Sequence, residues 1–221
     1  MIPWETLDTA AVPGGSETLR LKRRGGEFSI MLGANELMNS RLSGSEEALA
    51  RLAIERLAAP APRVLIGGLG LGFTLRAALP LLPPAAQVTV AELVPAVVAW
   101  ARGPLAALHG GSLDDPRVSI VEADVAAAMR AGPWDAILLD VDNGPEGLSR
   151  AGNDALYHAA GLAAARAALT PGGVFSVWSA GPDPAFARRL RAAGFAVDEI
   201  PARAGTTKRG ARHVVWVGRR G

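Results

Sequence analysis

The stretch that decides the fold is Val64-Leu-Ile-Gly-Gly-Leu-Gly-Leu-Gly-Phe-Thr-Leu-Arg76, an apolar run followed by glycines and the start of a helical pattern. Its glycines are Gly67, Gly68, Gly70 and Gly72. Glycine lets a chain turn sharply after a strand and lets the backbone approach a ligand with no Cβ in the way. Dinucleotide enzymes, flavoproteins and plain tight turns share such loops, so this stretch alone predicts a strand, a turn and a helix without fixing the ligand.

Three carboxylates follow successive predicted strands downstream of the loop: Glu92, Asp124 and Asp140. The carboxyl ends of parallel strands form the rim where open α/β sheets bind ligands. We expect Glu92 to accept hydrogen bonds from ribose hydroxyls, Asp124 to meet the adenine amino group and Asp140 to lie near the methionine end of an adenosyl cofactor. Asp124 could equally cap the next helix. Leu93 and Val125, each directly after one of these acids, complete the predicted cofactor-binding set.

From residue 63 onward, short apolar runs alternate with alanine-rich helical stretches, which is typical of a parallel sheet covered on both faces. Strands are predicted at 63–67, 87–92, 117–121, 135–140, 172–178, 195–200 and 212–218. Helices are predicted near 73–82, 94–108, 124–130, 152–168 and 183–193. The pattern predicts an α/β fold with a Rossmann-like, class I methyltransferase-type sheet of seven strands whose last pair is antiparallel.

The first 60 residues have a different pattern. Residues 18–23 and 27–32 alternate apolar and polar side chains around Arg24-Gly25-Gly26, which predicts a small β-hairpin appendage. Ser45 stands before two acids and a periodic apolar run, so we predict that it caps a helix ending near Ala59. We therefore divide the chain into an N-terminal hairpin with a lead-in helix, 1–59, and a cofactor-binding domain, 60–221.

Composition narrows the class of protein. The chain has 221 residues, 49% of them hydrophobic, with no apolar run of spanning length, so no membrane partner is expected. No secretory leader is evident, which predicts a cytoplasmic location. The absence of cysteine excludes disulfides and thiolate chemistry. The last 19 residues are basic, which could serve an anionic partner or simply a solvated surface; without a separate RNA-binding module, nucleic acid is not favoured.

The sequence resembles the spermidine synthase (polyamine aminopropyltransferase) family of the class I S-adenosylmethionine-dependent methyltransferase superfamily. Beyond the glycine loop and Glu92, the motifs that carry the resemblance are Glu36-Leu-Met-Asn-Ser-Arg41, Asp114-Asp-Pro-Arg-Val118, Thr170-Pro-Gly-Gly-Val174 and Arg212-His-Val-Val-Trp216. The resemblance implies a transferase that acts on a small-molecule acceptor. It also implies a homodimer formed through the N-terminal hairpin and the following helix.

Two departures from the family pattern bear on the reaction. Gly70 stands where the family has an aspartate that holds the amine of decarboxylated S-adenosylmethionine, and Asn143 stands where the family has its base. Because an amide cannot accept a proton at neutral pH, these losses favour methyl transfer from S-adenosylmethionine to a small amine- or hydroxyl-bearing acceptor. Asp140, Asp142 and Asn143 are the catalytic candidates. The alternatives are aminopropyl transfer from decarboxylated S-adenosylmethionine and an inactive, cofactor-binding regulatory protein.

Other single residues complete the candidate site. Glu146 could orient the acceptor, and Ser179 follows a predicted strand at the functional rim. Tyr157 matches a family position beside the substrate pocket, although it could instead be a core or dimer contact. Of the histidines, His109 should end a helix and His213 reads as a packed residue on a strand. The histidines are too scattered in sequence to predict a metal site.

Overall fold

The computed structural model describes residues 2–15, 17–141, 155–205 and 211–221. Within these residues the strands form two sheets, one of four strands near the N-terminus and one of seven strands. This arrangement confirms the predicted α/β fold with its seven-stranded sheet and N-terminal β-appendage.

The N-terminal sheet is antiparallel with strand order β1-β2-β3-β4. Its strands are β1 (Glu5–Ala11), β2 (Thr18–Arg24), β3 (Glu27–Leu32) and β4 (Asn35–Asn39). The predicted hairpin is β2 with β3. The outer strands were not predicted because β1 is largely exposed on both faces and β4 has only 5 residues, so neither has a clear alternation of apolar and polar side chains.

The large sheet and its helices follow in the rest of the chain. The strands are β5 (Arg63–Gly67), β6 (Gln87–Glu92), β7 (Val118–Glu122), β8 (Trp134–Leu139), β9 (Leu169–Ser179), β10 (Phe195–Arg203) and β11 (Arg212–Arg220). The helices are α1 (Gly44–Ile54), α2 (Phe73–Ala78), α3 (Pro95–Arg102), α4 (Ala106–His109), α5 (Val125–Met129), α6 (Ala159–Ala168) and α7 (Pro184–Ala192), with 3₁₀ turns at Leu79–Leu81 and Ser112–Asp114.

The strand order of the large sheet is β10-β11-β9-β8-β5-β6-β7. Strands β5 to β9 pair in parallel, while β11 is antiparallel to both of its neighbours, which confirms the predicted antiparallel last pair. The helix predicted at 94–108 is divided into α3 and α4 at Gly103, beside Pro104. The carboxyl ends of β5, β6 and β8 therefore meet at one edge of the sheet, where the glycine loop begins.

The two sheets pack against each other through a shared apolar core. Leu21 and Ile30 of the N-terminal sheet belong to the same buried cluster as Val64 of β5. The buried indole of Trp100 donates a hydrogen bond from Nε1 to Asp8 Oδ2 at 2.7 Å, which fixes β1 on α3. In the described part of the chain, no helix has the length and apolar character needed to cross a membrane.

The sequence pattern predicted that Ser45 caps α1, and this prediction is wrong. The helix begins at Gly44 and its N-cap residue is Ser43. Ser45 lies inside the first turn and is fully buried, and its hydroxyl forms hydrogen bonds with the side chains of Glu46 and His213.

His109 supplies a test of the packing beneath the glycine loop. Its ring lies against Gly72, it is 1% exposed, and neither ring nitrogen has a hydrogen-bond partner. Burial, helped by Arg76, lowers the pKa of His109 from 6.5 to about 4. The unfolded chain therefore takes up this proton first as pH falls, so the stability present above pH 6.5 decreases towards pH 4.

In the wild type, His109 should lower the free energy of unfolding by up to about 3 kcal/mol as the pH falls from 6.5 to 4. We expect this decrease to be smaller in His109→Leu, because leucine takes up no proton. Urea denaturation across this range measures the difference between wild type and variant. The exposed His158 provides the matched control, His158→Leu, which should follow the wild-type curve. Parallel curves for wild type and His109→Leu would show that His109 is not held neutral by the fold.

Candidate cofactor and substrate site

The glycine loop lies between the carboxyl ends of β6 and β8. The Gly68 N–H donates to the Ala91 carbonyl at 2.9 Å, and the Asp140 N–H donates to the Gly67 carbonyl at 2.9 Å. Gly68 has φ +90°, and a Cβ at this residue would lie 2.4 Å from the Asp140 carbonyl oxygen. A side chain at Gly68 would therefore collide with the backbone, so glycine is required for this approach.

Glu92 holds the loop in place from the end of β6. Its Oε2 accepts from the Leu69 N–H at 3.0 Å and its Oε1 accepts from the Val94 N–H at 2.9 Å. Burial raises the pKa of Glu92, while these backbone hydrogen bonds oppose that shift. Since each carboxylate oxygen has two acceptor sites, Glu92 can hold the loop and still accept from ribose hydroxyls, as predicted for it.

Asp124 caps α5. Its Oδ1 accepts from the Ala126 N–H at 2.7 Å, and its side chain also lines the cleft beside the glycine loop. The structure thus shows the helix cap that was predicted from the sequence as one alternative for Asp124. The predicted contact with adenine stays a prediction, and the position of Asp124 at the cleft is compatible with it.

A cleft opens beside the loop, with a free volume of about 930 Å³ that includes its open mouth. Most of the predicted cofactor residues line it: Gly68, Gly70, Glu92, Leu93, Asp124, Val125 and Asp140. The opposite wall comes from the N-terminal sheet and its flanks, through Val12, Leu19, Ile30, Leu32 and Leu37. The sequence did not predict this apolar wall, because it depends on how the two sheets dock.

A second chamber of about 540 Å³ adjoins the cleft and shares Leu37, Met38, Gly70 and Asp140 with it. Its remaining lining residues are Glu46, Leu69, Leu71, Gly72, Phe73 and Trp178. Sequence reasoning assigned no site role to Glu46 or Trp178. The sequence placed Glu46 only as one of two acids at the start of a helix, and the tertiary fold brings it to the chamber.

Asp140 lies where the cleft and the chamber meet. Its Oδ2 accepts from Thr74 Oγ1 at 2.5 Å. Burial, together with the negative charge of Glu46, raises the pKa of Asp140 to about 7, and the Thr74 hydrogen bond opposes this shift. Asp140 is thus a carboxyl group that can gain or lose a proton near neutral pH, as expected of a residue that faces charged ligands.

Met38 packs against the glycine loop at position 70. Gly70 has φ +47°, and a Cβ there would lie 2.7 Å from the sulfur of Met38. Met38, on β4, therefore occupies the space into which a side chain at position 70 would extend. The two residues form a matched pair, in which glycine on the loop accommodates methionine on the N-terminal sheet.

The remaining predicted residues are not all at the cleft. Tyr157 is buried and packs edge-on against Phe186, with ring centroids 5.7 Å apart, which favours the core role. Ser179 is buried at the end of β9 and donates to the Gly181 carbonyl at 2.9 Å. Asp142, Asn143 and Glu146 lie outside the described residues.

Gly67 and Gly72 have supporting positions. Gly67 is buried at the end of β5, where a Cβ would lie 2.7 Å from Val125, and Gly72 lines the smaller chamber. Among the residues that the structure describes, no group of three histidine, aspartate or glutamate side chains is placed to hold a metal ion.

Every ionisable side chain among the described lining residues is an acid. Glu17, Glu92, Asp124 and Asp140 line the cleft, and Glu46 joins Asp140 in the chamber. No described arginine, lysine or histidine lines either space. The site therefore favours cationic ligands over ligands that carry a free carboxylate.

Comparison with known proteins gives sequence relatives of one kind. The chain is 35% identical over 154 residues to polyamine aminopropyltransferase 1 of Streptomyces coelicolor, covering 65% of this chain and 28% of that protein. It is 36% identical over 127 residues to the polyamine aminopropyltransferase of Mycobacterium tuberculosis, covering 52% of this chain and 23% of that protein. The matches thus span only about a quarter of these relatives' length. No family model matches.

Solved structures share the fold over nearly the whole chain. Spermidine synthase from Thermotoga maritima aligns with a TM-score of 0.75 at 22% identity, covering 98% of this chain and 73% of that one. A spermidine synthase in complex with the transition state analogue AdoDATO aligns with a TM-score of 0.74 at 21% identity, covering 98% and 72%. At this level of identity the likeness shows the fold.

The prediction of methyl transfer is wrong, because the sequence relatives are polyamine aminopropyltransferases. The prediction assumed that, without an aspartate at position 70, no negative charge would be available to hold the amine of the donor. In the folded chain Gly70 is bordered by Met38, and Glu46 and Asp140 line the chamber next to it, so negative charge is present there without that aspartate.

The predicted resemblance is confirmed: this chain has homologues among the polyamine aminopropyltransferases and structural neighbours among the spermidine synthases, on a class I methyltransferase-like fold.

Proposed function

We propose that this chain transfers the aminopropyl group of decarboxylated S-adenosylmethionine to an amine of a small polyamine. The observation that carries the proposal is the acidic lining, in which Glu46 and Asp140 face a chamber without a described cation. The similarity to polyamine aminopropyltransferases supports the same reaction.

The charge of the chamber distinguishes the two candidate donors. S-adenosylmethionine carries a carboxylate beside its amino group, whereas the decarboxylated form ends in an ammonium group alone. A carboxylate placed beside Glu46 and Asp140 would be repelled, while an ammonium group would be attracted by both. The described lining therefore supports the decarboxylated donor.

The shape of the site supports a division of the donor between the two spaces. The larger cleft carries Glu92 and Asp124, the residues predicted to contact the adenosyl group. The smaller chamber begins at Asp140, and its lining includes Met38, Phe73 and Trp178. An aminopropyl arm that extends from the cleft into this chamber would place its amine near the acids.

The acceptor and the assembly are also part of the proposal. A polyamine is a cation, and an acidic, partly apolar site suits its ammonium groups and methylene chain. Asp142, Asn143, Glu146 and Ser179 stay predicted contributors on the acceptor side. The homodimer and the cytoplasmic location stay predictions from the sequence.

Calorimetry with the two donors tests the proposal. The decarboxylated donor should bind at least about tenfold more tightly than S-adenosylmethionine, since one unfavourable carboxylate contact costs on the order of 1.4 kcal/mol. Turnover with a panel of linear diamines and polyamines should release methylthioadenosine. Tighter binding of S-adenosylmethionine would sink the proposal, and binding without any turnover would indicate the inactive regulatory protein.

Glu92→Gln should weaken binding of the decarboxylated donor by about tenfold or more, because it replaces a charged acceptor of ribose hydroxyls by a neutral one. The matched control is Glu122→Gln, since Glu122 is the register partner of Glu92 on β7 and is exposed. Calorimetry at constant pH measures both affinities, and thermal melting confirms that each variant is folded. Equal affinities for the two variants would remove Glu92 from the cofactor site.

The pairing of Met38 with Gly70 predicts a non-additive double substitution. Gly70→Asp alone should impair donor binding, because the new side chain meets the Met38 sulfur. Asp tolerates positive φ, so Gly70→Asp combined with Met38→Ala should bind the decarboxylated donor about tenfold more tightly than Met38→Ala alone. If the double variant binds no better than Met38→Ala, the ammonium group of the donor does not lie near position 70.

A further inference from the structure

The two carboxyl groups of the chamber belong to partly exposed residues and differ in their hydrogen-bond partners. Asp140 accepts from Thr74, which is 2% exposed. Glu46 Oε2 accepts from Ser45 Oγ at 2.6 Å, and Ser45 Oγ lies 2.8 Å from Nδ1 of His213. Ser45 is fully buried, whereas His213 is partly exposed. A continuous hydrogen-bonded path thus leads from Glu46 to a side chain with access to solvent.

We propose that Glu46 takes the proton of the attacking amine and that Ser45 and His213 carry this proton to solvent. The inference rests on the proposed function and adds a proton acceptor with an exit route to it. Glu46 is the catalytic residue in this scheme. Ser45 and His213 are positioning residues that act through Glu46.

The reaction needs such an acceptor because alkyl amines have pKa values near 10 and arrive as ammonium ions. One N–H proton moves to the Glu46 carboxylate, which frees the nitrogen lone pair. The nitrogen then forms a bond to the aminopropyl carbon attached to sulfur, and the carbon–sulfur bond breaks with its electron pair left on sulfur. The products are a neutral thioether and a secondary ammonium ion, so charge and atoms balance.

The hydroxyl of Ser45 can transmit the proton because it is both a donor and an acceptor. While Glu46 is ionised, Ser45 donates to it. Once Glu46 is protonated, it donates to Ser45 Oγ, and the rotated hydroxyl donates to Nδ1 of His213. The imidazole that gains this proton at Nδ1 releases its Nε2 proton to water, and exchange of the ring protons with water restores the Nε2–H tautomer before the next turnover.

The electrostatic surroundings suit transfer between the two ends of the path. Burial raises the pKa of Glu46, the neighbouring charge of Glu47 adds to this, and the Ser45 hydrogen bond opposes it. Burial lowers the pKa of His213, which packs edge-on against Trp178 with ring centroids 4.8 Å apart. A carboxyl shifted upward and an imidazole shifted downward approach each other in proton affinity, and matched affinities favour transfer.

The test compares acceptors that do and do not need a base. With an ordinary diamine, Glu46→Gln should lower kcat at saturating donor by about 100-fold, the lower end of the usual effect of a general base. With a diamine whose nucleophilic amine is made weakly basic by adjacent fluorine atoms, the amine arrives neutral at pH 7.5. The loss caused by Glu46→Gln should then shrink to a few-fold.

Variants of the path give a second readout. Ser45→Ala and His213→Ala should each lower kcat by about tenfold with donor affinity unchanged, and added imidazole should restore turnover to His213→Ala but not to Ser45→Ala. Glu55→Gln is the matched control, because Glu55 directly follows α1 at its far end, is exposed and pairs with Arg51 rather than lining the chamber. It should keep wild-type kcat.

The outcomes separate the two proposals. A wild type that binds no decarboxylated donor or shows no turnover contradicts the proposed function itself. A wild type that turns over, with Glu46→Gln equally impaired on both acceptors or impaired on neither, overturns the base assignment alone. Turnover by His213→Ala that does not respond to imidazole overturns the exit route through His213.

Discussion

The Glu92 carboxylate is the interaction on which the site depends. It is buried at the end of β6 and accepts one backbone N–H from the glycine loop and one from the start of the next segment. A buried carboxylate is costly unless such donors satisfy it, so the loop and the acid stabilise each other. The loop in turn lies so close to the end of β8 that Gly68 nearly touches the Asp140 carbonyl. Strand ends, loop and ligand-facing acids therefore form a single unit.

The negative charge beside the glycine loop comes from acids that line the chamber and not from a side chain at position 70. Gly70 carries no side chain and Met38 fills the space in front of it, yet Glu46 and Asp140 reach the same chamber from α1 and β8. Charge placed on two separate elements can keep the electrostatic potential of a site while the identities of its residues change. The loss of one acid from a motif therefore does not remove negative charge from the candidate site.

The sequence predicted those parts of the fold that depend on local pattern. Strands β5, β6, β8, β9 and β11 were found because buried strands read as apolar runs. Glu92 was found because its spacing from the loop is fixed by one helix and one strand. The exposed strand β1 has no such pattern. Ser45 and Glu46 were read as local features of a helix start, because their partners, His213 and Asp140, lie far along the chain. Contacts of that kind are set by docking and leave no signal in the spacing of residues.

The docking of the N-terminal sheet also limits how the chain can be divided. Val12, Leu19, Ile30 and Leu32 from that sheet and its flank form one wall of the cleft, and Met38 borders the loop itself. A fragment that begins at residue 60 would keep the glycine loop and Glu92 but would expose both to water on the side where the ligand must be enclosed. The sheet that looks like an appendage in the sequence thus forms one side of the candidate site, and a shortened protein would keep the predicted cofactor residues without the wall that faces them.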